Sequence, residues 1–174
     1  GVTSIEQGVF DKCTSLKSVT IGNSVTSIDN PFYYCSSINK INYTGTIDQW
    51  AEIEFCGLNS NPIYYSKDLY INDQLITEAN LTRATKISNY AFYYCTNLKR
   101  VRISDSVKDI GDYAFDNCVN LENIIIPDSV KKIGVCAFRN CEAIKNVTIG
   151  KNITSIGTSA FENCKKIEKT NYTG

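Results

Sequence analysis

The sequence predicts an α/β repeat solenoid, and three observations carry that prediction. A phrase ending in Phe-x-x-Cys recurs along the chain. Its later copies keep one constant spacing. The residues between copies repeat in type, position by position. Self-similarity at a period of roughly 20–50 residues marks an array in which each unit packs only on its neighbours.

The cysteines of the phrase are Cys13, Cys35, Cys95, Cys118, Cys141 and Cys164, and the last four are 23 residues apart. Three residues before each stands Phe10, Phe32, Phe92, Phe115, Phe138 or Phe161. Three after stands Leu16, Ile38, Leu98, Leu121, Ile144 or Ile167. One full unit runs from Leu121 to Cys141, and its elements follow in order. Ile124-x-Ile126 alternates with period two, which predicts a short strand with one buried face. Pro127, like Gly22 and Gly150 elsewhere, ends that strand, because proline cannot continue a ladder. Ser129, Ser24, Ser106 and Asn152 share the next slot, where a small polar side chain can bond the turn backbone. Ile133-Gly134 and its equivalents predict a second, shorter extended segment and a turn. Ala137-Phe138-x-x-Cys141-x-x-Ile144 puts apolar groups on one face of a helical or 3₁₀ turn. A single unit cannot bury its own apolar face, so the units must stack.

These residues resemble the 23-residue BspA-type (Treponema-type) leucine-rich repeats of bacterial surface proteins, over residues 2–41 and 84–174. The resemblance implies a right-handed superhelix with a parallel sheet on its concave face and short helical or 3₁₀ turns on its convex face. It also implies an extracellular or cell-surface protein that binds host proteins or neighbouring cells. Residues 1–174 are read as a single leucine-rich-repeat solenoid, a fragment of a longer array.

Residues 42–83 break the repeat and form a degenerate island within it. They hold the single tryptophan, Trp50, together with Cys56 and a loop ending at Pro62. The alternation over Leu69–Thr77 predicts a β-hairpin turning at Asn72-Asp73. Asn42-Tyr43-Thr44-Gly45 recurs as Asn171-Tyr172-Thr173-Gly174, which predicts that a second island follows in the native protein. Gly1 reads as a cut end or tag remnant, and open ends predict end-to-end self-association.

Composition excludes several functions. Eighteen basic residues balance eighteen acidic ones, against the basic excess of a nucleic-acid protein. Histidine is absent, which removes the commonest general base and zinc ligand. No metal, cofactor or catalytic residue is assigned, and an enzyme is not expected. Apolar runs fall far short of the ~20 residues that cross a membrane. The six ladder cysteines occupy one inward slot and read as free, buried thiols. Cys56 and Cys136 lie off that ladder, where reactive and paired states stay open. Asp105 and Asp128 recur at a turn position and read as turn formers. The N-x-T sequons follow from the abundance of Asn and Thr.

A solenoid binds through its concave sheet. Outward positions there form two columns: Ser18, Lys40, Arg100, Asn123, Asn146, Lys169, and Thr20, Asn42, Arg102, Ile125, Thr148, Asn171. Neither column contains an acid, which predicts a mildly basic face. The candidate ligand-binding residues are Lys40, Arg100, Arg102, Asn123, Ile125, Asn146 and Thr148, since arginine beside an apolar residue is a frequent hot-spot composition. An aromatic alternative is Tyr33, Tyr34, Tyr93 and Tyr94, whose rings suit sugars or protein anchors. The bland readings are a solvated strand for the first set and island packing for the second. The expected function is protein–protein interaction or adhesion. The alternatives are a passive spacer that displays another domain and a glycan-binding module.

Overall fold

The computed structural model describes residues 1–173. In chain order, β1 (Ser4–Ile5), β2 (Ser18–Ile21), β3 (Ser27–Ile28) and β4 (Lys40–Tyr43) precede helix α1 (Ile47–Glu52). Then come β5 (Glu54–Phe55), α2 (Ile63–Ser66), β6 (Leu69–Ile71) and β7 (Gln74–Leu75). The end of the island supplies β8 (Glu78–Leu81), and the regular rungs supply β9 (Lys86–Ile87), β10 (Arg100–Ile103), β11 (Asp109–Ile110), β12 (Asn123–Ile126), β13 (Lys132–Ile133), β14 (Asn146–Ile149), β15 (Ser155–Ile156) and β16 (Lys169–Tyr172). The four-residue strands stack in parallel on one face and the two-residue strands on another, one of each per regular rung. The expected solenoid with its parallel sheet is therefore the fold.

Two features of the sheet were not legible. Both ladders break at the island: β2-β4-β6 is separate from β8-β10-β12-β14-β16, and β1-β3-β5 from β9-β11-β13-β15. The turns of the regular rungs are also not helices. Single i+3 bonds follow one another, as from Asp116 N–H to Tyr113 O, Cys118 N–H to Phe115 O and Leu121 N–H to Cys118 O. Left-handed residues interrupt them. One column is Lys12, Tyr34, Tyr94, Asn117, Asn140 and Asn163; another is Gly8, Asn30, Tyr90, Tyr113, Cys136 and Ser159. A left-handed residue cannot continue a right-handed helix, so of the predicted helical or 3₁₀ turns only separate i+3 turns form. Among the described residues α1 and α2 are the only α-helices, and both lie in the island.

Like side chains stack on like in the core. Phe92, Phe115, Phe138 and Phe161 lie nearly parallel, with successive ring centroids 5.1 Å apart. Beside them, Cys118, Cys141 and Cys164 each donate Sγ–H to the phenylalanine carbonyl of the preceding phrase at 3.1 Å. Burial pushes the Cys95 thiol up to about 12 and raises Cys118 and Cys141 as well. All eight cysteines are free. Cys136, expected off the inward ladder, is buried too. Cys13, expected on the buried ladder, is instead exposed because no rung precedes it among the described residues to cover that slot, and Cys56 is exposed as well. Gly134 marks how closely rungs approach: a Cβ there would lie 2.4 Å from the Gly111 carbonyl carbon.

The island packs by unlike partners. The predicted hairpin forms, with β6 and β7 antiparallel and Asn72 and Asp73 left-handed at φ 48° and 63°, as a type I′ turn requires. A capping box of Thr46 and Gln49 starts α1, satisfying two of its free N–H groups. The Asp48 carboxylate then accepts from the backbone N–H of Thr82, Arg83 and Ala84, and Glu52 from that of Thr85. Trp50 is fully buried against Tyr43 and Phe55. Its indole N–H and the Asn61 amide both reach the Ala91 carbonyl, at 2.8 and 3.0 Å. These bonds stand where the sheet ladder is missing.

Candidate functional site

Strand register builds the concave surface. Glu78 lies beside Arg100, and Arg100 beside Asn123, Asn146 and Lys169 in turn. The second column runs Asn80 beside Arg102, then Ile125 beside Thr148 and Asn171. Alternation sends Val101, Ile124 and Val147 inward and leaves these residues outward. The structure thus brings Arg100, Arg102, Asn123, Ile125, Asn146 and Thr148 onto one sheet.

It corrects three expectations. The columns do contain an acid: Glu78 binds Arg100 at 2.8 Å, both side chains well exposed. The sequence did not show this because the rung before β10 is degenerate, and its register was not readable. Lys40 also leaves the set. It lies on the separate β2-β4-β6 sheet. There it pairs with Asp73 of the hairpin at 2.7 Å and sits over the Tyr70 ring. Asn42, expected to face outward, is buried and accepts from Asp73 N–H at 2.8 Å.

What remains is charged and apolar side by side. Ile125 is 65% exposed, as large a fraction as any apolar side chain here except Val2. Arg102 makes no ion pair among the described residues. Asn146 donates its amide to Asn123 at 2.8 Å, which holds both amides across the rungs. Arg100, Val101, Arg102, Ile103, Asn123 and Ile125 line an open depression of about 450 Å³.

The aromatic set does not act as one surface. Tyr33 and Tyr34 are exposed, Tyr94 is half-buried and Tyr93 is buried. Tyr93 and Tyr94 pack on Tyr64, and the Lys67 ammonium sits 3.9 Å from the Tyr94 ring centroid. Those two rings are spent on holding α2 against the next rung. Burial raises the Tyr93 phenol above its ordinary value and lowers Lys67.

One buried charge lies away from both surfaces. The Asp116 carboxylate is inaccessible and receives Arg139 Nε at 3.2 Å and a second Arg139 nitrogen at 2.6 Å. The amides of Asn117 and Asn140 complete its shell. Its hydrogen bond to Asp116 raises the Arg139 guanidinium. Four donor nitrogens from three residues around one buried carboxylate are a structural clamp between rungs. No group of three or more His, Cys, Asp or Glu side chains suited to a metal occurs among the described residues. No helix there is long and apolar enough to cross a membrane.

A stack of parallel strands, one inward Phe-Cys pair per rung and an outward polar sheet define a leucine-rich-repeat solenoid. The chain belongs to the BspA-type leucine-rich repeat family, whose repeat region matches residues 1–85 and 66–174. It is similar to the solved structure of a leucine-rich cell surface protein from Faecalibacterium prausnitzii, with 20% identity and a TM-score of 0.58 over 99% of this chain and 64% of that one. A leucine-rich repeat protein from Eubacterium ventriosum matches with 22% identity and a TM-score of 0.56 over 90% of this chain and 49% of that one. The pneumococcal vaccine antigen PcpA matches with 18% identity and a TM-score of 0.59 over 98% of this chain and 48% of that one. The chain therefore spans less than two thirds of each solved relative's length. No curated protein matches this sequence.

Proposed function

We propose that this chain is a protein-interaction module of a bacterial cell-surface or secreted protein, and that it adheres to proteins of a host or a neighbouring cell. The observation that carries this reading is the outward patch on β10, β12 and β14. There an arginine with no ion-pair partner among the described residues stands one strand from an exposed isoleucine. Arginine is among the residues enriched in interface hot spots, and an exposed apolar neighbour adds area that binding can bury. The Faecalibacterium relative is a cell surface protein, which supports the location. Binding rather than catalysis fits a chain without histidine, whose buried Asp116 is fully engaged by Arg139 and two amides.

The test is binding of the labelled chain to immobilised extracellular-matrix proteins, native and deglycosylated, at physiological salt. Saturable binding that survives deglycosylation is expected. The double variant Arg100→Glu/Arg102→Glu should weaken it at least tenfold with an unchanged melting temperature. Loss on deglycosylation would transfer the role to glycans, and Tyr33 and Tyr34 would be the residues to change. Absence of binding to every immobilised protein would overturn the interaction reading.

A further inference from the structure

The concave ladder has a flaw, and it lies beside Arg102. Strands β8 and β10 match over four residue pairs, as do β12 and β14. Between β10 and β12 a single pair remains, Arg100 with Asn123. The cause is in the sequence. At the end of each regular strand the next backbone N–H donates to the last carbonyl of the strand before it. Ser104 donates to Leu81, Gly150 to Ile126 and Thr173 to Ile149. The corresponding donor to Ile103 would be residue 127, which is proline and has no N–H. The strands are therefore held together at the Arg100 end and not at the Ile103 end. The 450 Å³ depression opens between these two strands, and every residue lining it belongs to one of them.

Its chemistry selects a ligand. The Arg102 guanidinium has five N–H donors and no carboxylate partner among the described residues. Arg100 shares its charge with Glu78 in an exposed pair, which is worth little in water and is readily exchanged. Ile125 supplies the exposed apolar wall, with the part-buried Ile103 at the open strand end. A second depression, lined by Glu78, Ala79, Asn80, Arg100 and Arg102, lies on the other side of the two arginines. The guanidiniums thus form a cationic ridge with an apolar slot on one flank.

We propose that this slot, opened by Pro127, binds a protein segment in which an acidic side chain neighbours a branched apolar one. The carboxylate pairs with Arg102 and, by displacing Glu78, with Arg100; the apolar side chain enters against Ile125 and Ile103. The inference rests on the interaction reading above and names the partner's chemistry.

The probe is a fluorescein-labelled peptide of four Leu-Asp repeats, compared with its Leu-Asn counterpart. Binding is followed by anisotropy, and its location by NMR shifts of Ile125 methyl and Arg102 Nε signals. The expected result is saturable binding centred on those two residues, at least tenfold tighter for the Leu-Asp peptide and weakened by salt. Arg102→Gln should lose about tenfold. Glu78→Gln, which frees Arg100, should gain about threefold. Pro127→Ala restores the missing donor, closes the strand end and should weaken binding about fivefold while the fold is kept. Equal binding of both peptides, shifts confined to other residues, or full affinity in Pro127→Ala would overturn the proposal. None of these outcomes touches the interaction reading, which falls only if the immobilised proteins fail to bind.

Discussion

The regular rungs and the island solve the same problem by different physics. From Lys86 onward, each rung offers its neighbour a copy of itself. Phenylalanine meets phenylalanine, a thiol meets a carbonyl, and a strand meets a strand in register. In residues 42–83 the copies are missing, and the ladder breaks on both faces. There Asp48, Glu52, Asn61 and Trp50 bond single backbone groups of the following rung. Periodic stacking spreads its stabilisation over many equivalent contacts. The island concentrates it in a few side chains with no equivalent.

That contrast predicts different responses to mutation, the largest in the regular rungs. Phe115→Ala removes a ring stacked on both sides and should cost about 3–5 kcal/mol. Gly134→Ala forces a Cβ into the Gly111 backbone 2.4 Å away and should cost several kcal/mol, because the backbone in its path has no rotamer to change. Urea unfolding checks both, and a loss under about 1 kcal/mol for Phe115→Ala would show that its rungs are not coupled.

In the island, Asn61→Ala strands the Ile63 N–H and leaves the Tyr90 carbonyl with only the Tyr93 N–H as donor, and should cost about 1–3 kcal/mol. Its distinctive sign is cooperativity: two separated transitions by fluorescence of Trp50 and by circular dichroism. A single coincident transition would show that one joint does not govern the coupling of the two arrays.

Alkaline pH sharpens the comparison, because the most deeply buried thiols belong to the regular rungs. The folded Cys95 thiol titrates near 12 and that of Cys164 near 11, against an ordinary 9.0. Raised folded values mean that the unfolded chain loses these protons first. Stability is therefore intact below pH 9 and falls as pH rises from 9 towards 11–12, by about 1.4 kcal/mol per pH unit per thiol. Urea midpoints between pH 8 and 11 test this, and Cys118→Ala should flatten the slope. At neutral pH, a maleimide should label Cys13 and Cys56 in the native protein, while all eight react in denaturant.

The smallest effect concerns the left-handed columns. Asn117, Asn140 and Asn163 suit that backbone, whereas Lys12 at φ 59° does not. Lys12→Asn should raise stability by about 0.5 kcal/mol. A lower melting temperature in the variant would mean the Lys12 side chain contributes more than its backbone strain costs.

The regular rungs were readable because each rung repeats the same environment. Six copies of one pattern average out the ambiguity of a short strand or turn, so the parallel register and the buried Phe and Cys columns followed directly, except at the first copy, where Phe10 and Cys13 are exposed. The hairpin at Asn72-Asp73 was readable for another reason: two left-handed residues in succession are a local requirement. The rest of the island was not. Asp48 and Asn61 look like ordinary polar residues, and nothing local says which distant backbone group they will meet.

Periodicity therefore determined the solenoid, its inward columns and the outward alternation of Arg100, Arg102, Ile125 and Thr148, because a constant repeat length maps sequence spacing onto space. The tertiary structure alone decided how the degenerate rung aligns. That alignment puts Glu78 beside Arg100, draws Lys40 to Asp73 on another sheet and buries Tyr93 beneath α2. It also turned Pro127 from a strand terminator into the opening of a slot. The physical reason is one: register between unlike segments is set by packing and hydrogen bonds across the fold, and no residue carries that information by itself.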